Sequence, residues 1–275
     1  MSNSELTVTQ DDDVSSVPAE QKPGDSYVQS FARGLSVLRS FGAEAPAQTL
    51  SEVAERAQLT RAGARRILLT LLHLGYVDAE GRLFRLRPKV MELGFAYLSS
   101  LPIWTLAQPV IEELVESLRQ SCSIAVLDGE EIVYVLRVPA RKIMSLNLSV
   151  GSRLPAYCTS TGRVLLAGLS PAALKEHLSG ISLIPRTSHT IVNKKQLLDQ
   201  IEQVRGQGWC MISEELEEDL VSLAAPIFDR SGRVTAAINI SGRLNNPSRE
   251  NLLGIGLPKL LAAADQISQL LRSKQ

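Results

Sequence analysis

Residues 60–77, TRAGARRILLTLLHLGYV, set three arginines at the front of a stretch that otherwise reads as a buried leucine helix. Leu68, Leu71, Leu72 and Gly75 recur at helical spacing and predict a core-facing stripe. Thr60 stands where an N-cap hydroxyl is wanted. Arg61 and Arg65 lie four residues apart on one exposed face, with Arg66 beside them. Gly63 falls in the same turn, where glycine costs about 1 kcal/mol relative to alanine. Close backbone approach to a partner, or to the preceding helix, would offset that cost.

The flanking residues turn this helix into a motif. Upstream, Phe31, Leu35, Leu38 and Phe41, with Val37, repeat at helical spacing, and Gly42 stops the run. TLSEVAERAQ follows as a short helix with an apolar stripe of Leu50, Val53, Ala54 and Ala57, which either Thr49 or Ser51 can cap. A brief break at Gln58-Leu59 leads into the arginine helix. Downstream, YVDAEGRLFRLRP reads as two strands around a turn at Ala79-Glu80-Gly81, ended by Pro88. Three short helices and a hairpin make a winged helix-turn-helix over residues 27–88. In such units the helix after the turn enters the major groove of double-stranded DNA, and the wing meets flanking backbone. Thr60, Arg61, Gly63, Arg65 and Arg66 are therefore candidate contacts on the helix. Arg82 and Arg85, with Arg87, are candidates on the wing. The free N–H groups of a helix N-terminus favour phosphate, and arginine can read guanine edges bidentately. Surface solubility is the alternative use of the same side chains.

Charge distribution supports a polyanionic partner. Residues 27–90 carry ten bases against five acids, whereas residues 1–26 carry six acids against one base, and the remainder is balanced. The 1–26 tail is rich in Ser, Asp, Pro and Gln, and it is expected to be disordered. No apolar run is long enough to span a bilayer, and the start lacks the basic and apolar regions of a secretion signal. A cytoplasmic location with no membrane partner is expected. Cys122, Cys158 and Cys210 show no CxxC pairing, and His73, His177 and His189 are scattered, so neither a disulfide framework nor a metal site is expected. No cofactor is expected either.

Residues 89–101, KVMELGFAYLSSL, read as a linker helix with Val90, Leu93, Tyr97 and Leu101 on one side and Met91, Phe95 and Leu98 on another. Two apolar sides call for two partners, and a second subunit is the expected one; an ordinary buried linker is the alternative. Over 102–275 the pattern changes to strands flanked by helices. PIWTLAQPVIEELVESLRQSC is an amphipathic helix and SIAVLDGEEIVYVLRV a hairpin turning at Asp128-Gly129. A second hairpin turns at Asp229–Gly232, and PKLLAAADQISQLLRSKQ closes the chain as a helix. Antiparallel strands with flanking helices give an α+β domain of GAF-like kind.

Beyond the tail, the chain resembles the IclR family of bacterial transcriptional regulators. The resemblance rests on FARGLSVLRSFG, LSEVAERAQLTRAGARRILLTLLHLGY, GRLFRLRPKVMELG, VGSRLPAYCTSTGRVLLA, RGQGWCMISEELEEDLVSLAAPIFD and INISG. YLSS at 97–100, PAYCTSTGR at 155–163 and QGWC at 207–210 are most similar to the subgroup that regulates protocatechuate, 4-hydroxybenzoate and β-ketoadipate catabolism. The resemblance implies a homodimer, often paired into a homotetramer on a palindromic operator. It also implies a C-terminal pocket for a small aromatic or dicarboxylic acid effector. Carried over by position, that pocket would be lined by Ile143, Leu146, Leu154, Ser160, Thr161, Leu220, Ser222, Asn239 and Ser241. Ser160 and Thr161 depart from members that place glycine and alanine there, so the chemistry of this pocket differs from theirs. Arg137, Arg153 and Arg163 are the candidate counter-ions for an acidic effector. Alternatively these side chains fill the sheet or serve surface ion pairs.

Two other function classes bear on the same residues. Cys158 with His177 or His189 would make a nucleophile and base, but no signature places either histidine beside it, so no enzyme is expected. The EELEED run, Glu214–Asp219, lacks the alternating ligands and glycine of a calcium loop and reads as a solvated acidic loop. A regulator of the same family serving another carbon-source pathway is one remaining alternative; a basic interaction module that binds an acidic protein is the other, and salt-dependent preference for one DNA sequence separates it from a regulator.

Overall fold

The computed structural model describes residues 27–100, 102–140, 148–244 and 249–273. The expected tail and the candidates Ile143 and Leu146 lie outside the described residues. The chain divides into two compact units between Gly94 and Phe95.

In the first unit the order is α1 (Gln29–Arg39), β1 (Ala47–Thr49), α2 (Leu50–Arg56), α3 (Arg61–Leu74), β2 (Val77–Glu80) and β3 (Leu83–Leu86). A 3-10 turn, Pro88–Val90, follows. Val37, Phe41, Val53, Ala54, Ala64, Leu68, Leu71 and Val77 form one core; each fully buried large aliphatic contributes roughly 1.5–3 kcal/mol. Thr49 closes a reciprocal capping box with Glu52 at the start of α2. Gly75 ends α3 in the left-handed region at φ 79°, which a residue with a Cβ adopts only under strain. Three expectations change. Phe31 and Leu35 of α1 are 67 % and 42 % exposed, because Val37 and Phe41 take the core face. The hairpin turns at Gly81-Arg82, not at 79–81, since Glu80 already pairs with Leu83. Residues 47–49 add a third strand, giving an antiparallel sheet of order β1-β3-β2.

Helix α4 (Met91–Ser100) carries the chain into the second unit, where α5 (Pro102–Leu118) leads to β4 (Ser121–Asp128) and β5 (Glu131–Val138). Then come β6 (Arg153–Pro155), α6 (Ser160–Ala167), α7 (Pro171–Gly180), α8 (Lys194–Gln207), β7 (Cys210–Ser213), β8 (Leu220–Phe228) and β9 (Val234–Arg243). A helical turn α9 (Arg249–Asn251) and a π-helical stretch, Leu252–Gly256, enter α10 (Leu257–Ser273). The sequence reading ran α5 on to Cys122. The structure ends it earlier: Arg119 adopts φ 56°, and Ser121 and Cys122 join the sheet opposite Ser241 and Ile240.

The strands form one antiparallel sheet of order β6-β5-β4-β9-β8-β7. Because strand side chains alternate, its two faces build two cores. Ile124, Val221, Leu223, Ile227, Ile238 and Ile240 meet α5 and α10. Ala125, Tyr134, Ile212, Ala224 and Ala237 meet α6, α7 and α8 on the other face. No single helix among the described residues is long and apolar enough to cross a membrane.

Candidate functional site

Two places bear chemistry. The first is the start of α3. Thr60 Oγ1 accepts the Gly63 N–H at 3.1 Å, capping the helix. A Cβ at Gly63 would lie 3.2 Å from that same oxygen and meet nothing else within 4 Å beyond its own turn, so glycine fits the cap closely. The preceding helix is not what it accommodates. Arg61, Arg65 and Arg66 are all exposed, and none enters an ion pair among the described residues. With the apolar face of α3 buried through Ala64, Leu68 and Leu71, these three guanidinium groups share the solvent side of the helix with two N–H groups that have no helical acceptor. On the hairpin, Arg82 occupies the turn itself and Arg85 and Arg87 are exposed. Arg85 pairs with Glu80 at 3.3 Å across the hairpin, with both side chains more than half exposed, an ion pair of little energetic weight. Lys89 is used differently: its ammonium caps the Leu74 carbonyl at 3.0 Å and stands 5.2 Å over the Tyr76 ring.

The second place is a cavity between the sheet and α6. It is lined by Ser160, Thr161, Leu220, Ser222, Asn239 and Ser241, which the structure brings together as expected. Tyr134, Leu148, Cys158, Thr159, Ile212 and Leu216 complete the wall. The sequence reading missed these six, although the alternation of β5 and β7 placed Tyr134 and Ile212 on this face. Leu154 is not in the wall: on β6 it pairs with Ile132 and packs into the core beneath the helices. The free volume is about 30 Å³.

Strand register explains the polar floor. Ser123 of β4 lies opposite Asn239 of β9, and Ser241 lies opposite Ser222 of β8. Ser160 Oγ and Ser222 Oγ are 2.7 Å apart, and Asn239 Nδ2 donates to Ser222 Oγ at 2.9 Å. Above this floor stands the N-terminus of α6. Thr159 caps it by accepting the Gly162 N–H at 3.2 Å and anchors the approach by donating to the Pro155 carbonyl at 3.0 Å. The Ser160 and Thr161 amides are then the N–H groups a helix leaves without internal acceptors. Gly162 is needed for this approach: a Cβ there would lie 2.1 Å from the Ala156 carbonyl oxygen.

The three candidate arginines separate by environment. Arg163 is 2 % exposed, bonded to Glu215 Oε2 at 2.5 Å and donating to the Tyr157 carbonyl at 3.1 Å, so it holds the protein together. Arg153 lies at the sheet edge, pairing with Asp128 at 2.7 Å and Glu131 at 2.6 Å. Arg137 shares the cavity's side of the sheet: it donates to Ser123 Oγ at 2.8 Å and stands 5.8 Å over the ring of Tyr134. Burial lowers its pKa, against the pull of Tyr134 and Cys122, and a guanidinium stays cationic under such a shift.

The acidic run is more than a solvated loop. Glu215 is buried against Arg163, its backbone carbonyl accepts from Thr190 Oγ1 at 2.7 Å, and Asp219 pairs with Arg243 at 2.8 Å. Burial raises the Glu215 pKa, with Arg163 opposing it. Cys158 is no activated nucleophile, because burial pushes its thiol up to about 11. No cluster of three His, Cys, Asp or Glu side chains suited to a metal occurs among the described residues.

Comparison with known proteins places this architecture. Residues 95–269 match the C-terminal domain of the bacterial transcriptional regulator IclR, and residues 30–81 match the IclR helix-turn-helix domain. The Pca regulon regulatory protein of Pseudomonas putida is 43 % identical over 239 residues, covering 86 % of this chain and 82 % of that protein. A solved structure from Rhodococcus sp. RHA1 is 47 % identical with a TM-score of 0.82, over 89 % of this chain and 98 % of that one. An IclR homologue of Microbacterium hydrocarbonoxydans, solved with 4-hydroxybenzoate, is 26 % identical with a TM-score of 0.79, over 89 % of this chain and 100 % of its own. A winged helix-turn-helix followed by an α+β domain, matched along both parts and by relatives over most of their length, makes this chain a member of the IclR family of bacterial transcriptional regulators.

Proposed function

We propose that this regulator controls genes of aromatic-acid catabolism and takes a small aromatic acid as effector in the cavity beneath α6. The observation that carries the reading is the wall itself. Leu148, Ile212, Leu216, Leu220 and Tyr134 offer apolar surface, while Ser160, Ser222 and Asn239 offer one connected line of hydrogen-bonding groups. Such a site suits a flat ring with polar ends. The similarity to a Pca regulon protein and to a homologue solved with 4-hydroxybenzoate supports the same class. A carboxylate is served by the open amides of α6 or by Arg137, which lies on this face of the sheet against Ser123. A β-ketoadipate-like dicarboxylate is the second ligand class that this chemistry accepts.

On the DNA side, α3 enters the major groove of an operator. Arg61, Arg65 and Arg66 reach base edges or phosphates, with Thr60 and Gly63 setting the helix start, and Arg82 and Arg85 meet the flanking backbone. The working form is a homodimer or a pair of dimers on a palindromic site. Exposed Met91 and Phe95 on one side of α4, and Leu93 and Tyr97 on another, supply apolar surface for the second copy. The protein acts in the cytoplasm and performs no catalysis; burial holds Cys158 as the neutral thiol.

The test is a DNA-binding titration with the region upstream of this protein's own gene against random DNA, adding protocatechuate, 4-hydroxybenzoate and β-ketoadipate in turn. Specific binding altered by one of them supports the reading. Specific binding unmoved by all three refutes the aromatic-acid assignment, and no preference over random DNA refutes the operator.

A further inference from the structure

We propose that Asn239 makes the cavity selective for an acid that also carries a hydrogen-bond-donating hydroxyl, an inference that rests on the aromatic-acid reading of the same cavity. Asn239 is 3 % exposed and lines the cavity wall. One half of its amide is committed, the nitrogen donating to Ser222 Oγ at 2.9 Å. Ser222 is itself held, against Ser160 Oγ at 2.7 Å and the Ile240 carbonyl at 3.3 Å, so its oxygen is placed to accept from the amide. The other half, Oδ1, is buried and has no hydrogen-bond partner among the described residues.

The neighbours do not supply the missing donor. Ser222 and Ser160 are tied to one another. Tyr134 lines the same wall, and no hydrogen bond from its hydroxyl reaches Oδ1. Strand register adds direction. Asn239 faces Ser123 across the ladder, and Ser123 Oγ takes the Arg137 guanidinium at 2.8 Å. An unmet acceptor on β9 and a cation on β5 therefore flank Ser123 of β4 on one sheet face. A ligand hydroxyl that donates to Oδ1 completes the amide, whereas a bare ring edge leaves the oxygen desolvated and unpaired. Sites built this way reject the analogue that lacks the hydroxyl more strongly than apolar pockets reject a missing methylene.

The experiment is calorimetric titration of the full-length protein with 4-hydroxybenzoate, protocatechuate and benzoate, for the wild type and Asn239→Leu. The better hydroxylated acid is expected to bind the wild type roughly 10- to 100-fold more tightly than benzoate. In Asn239→Leu that ratio is expected to fall to within about threefold, with benzoate gaining affinity. Equal wild-type affinities, or a ratio that survives the substitution, overturn the role of Asn239. If Asn239→Leu does not fold, Asn239→Ala and the wild-type ratio decide. If none of the three acids binds, benzoate included, the aromatic-acid reading itself falls and takes this assignment with it.

Discussion

Replacing Glu215 with glutamine strands the Arg163 guanidinium in the interior, and replacing Arg163 with methionine strands the Glu215 carboxylate; the two losses differ in kind. Arg163 is 2 % exposed, with Glu215 at 2.5 Å as its acidic partner. Removing one partner of a buried pair costs roughly 3–5 kcal/mol. Arginine cannot escape that cost by deprotonating, because a guanidinium stays cationic inside proteins. Glutamate can, by binding a proton. Burial already raises the Glu215 pKa while Arg163 opposes the rise, so loss of Arg163 raises it further. In Arg163→Met the folded pKa then stands above the unfolded value of about 4.3, and the folded state holds the extra proton between those two values. Stability of Arg163→Met therefore falls as pH rises through that window, while Glu215→Gln, with no carboxyl left to titrate, has no such pH term of its own. Urea unfolding followed by tryptophan fluorescence reads the right unit, because Trp104 and Trp209 both belong to the second one. The expected result is a loss of about 3 kcal/mol or more for Glu215→Gln at both pH 5 and pH 7.5. Arg163→Met should lose less at pH 5 than at pH 7.5, and the double change to Met and Leu should recover part of the loss. Single variants within about 1 kcal/mol of wild type, or a level pH response in Arg163→Met, would refute the argument.

Other outcomes follow from particular contacts. Arg65→Ala and Arg66→Ala should each weaken operator binding by about 1–3 kcal/mol where they read bases, or reduce the salt slope by about one where they meet phosphate; an unchanged titration at several salt concentrations counts against α3 as the reading helix. Gly162→Ala should destabilise the second unit by roughly 3 kcal/mol or more, because its Cβ would collide with the Ala156 backbone at 2.1 Å; a thermal midpoint equal to wild type contradicts this. Asp229 should titrate at about 2, chiefly because Ser231 Oγ donates to it at 2.6 Å. With its folded pKa below the unfolded one, its stabilising share is present above about pH 4 and is lost as pH falls through 2. Carboxyl NMR in the wild type and Ser231→Ala checks it, the variant moving toward an ordinary aspartate.

The elements were legible where local chemistry and periodicity agree. Thr60 and the Leu68–Leu71 spacing mark the start and the inner face of α3, whereas Gly75, counted by periodicity in the apolar stripe, is instead its left-handed end. Asp128-Gly129 and Asp229–Gly232 mark the two hairpins of the large sheet. Where a contact depends on which distant strand comes alongside, the sequence is mute. Alternation along β5 turns Tyr134 to the cavity face, but the shift of β5 against β4 between Ile124 and Ala125, which brings Arg137 to the same side opposite Ser123, is encoded in no local pattern. Leu154 illustrates the converse, an apolar residue beside the site that the β6 ladder turns into the core. Arg163 defies the rule that charge lies outside, because its partner, Glu215, is fifty-two residues away along the chain. Phe31 and Leu35 satisfy a helical stripe yet lie exposed; periodicity marks an apolar face without saying whether its own chain covers it.

The tightness of the cavity bears on how a cell would experience this regulator. A benzene molecule occupies a site of roughly 150 Å³, and a water needs only about 10–15 Å³. The cavity offers about 30 Å³. A ring-sized effector therefore meets a protein that must spend part of its time with Leu148, Leu216 or Leu220 swung aside. The observed dissociation constant is the intrinsic one divided by the fraction of open molecules. A protein open one per cent of the time responds at about a hundredfold higher concentration than its contacts alone would set. The dose at which transcription switches is then tuned by leucine packing, and selection can move the threshold without touching a single group that recognises the ligand.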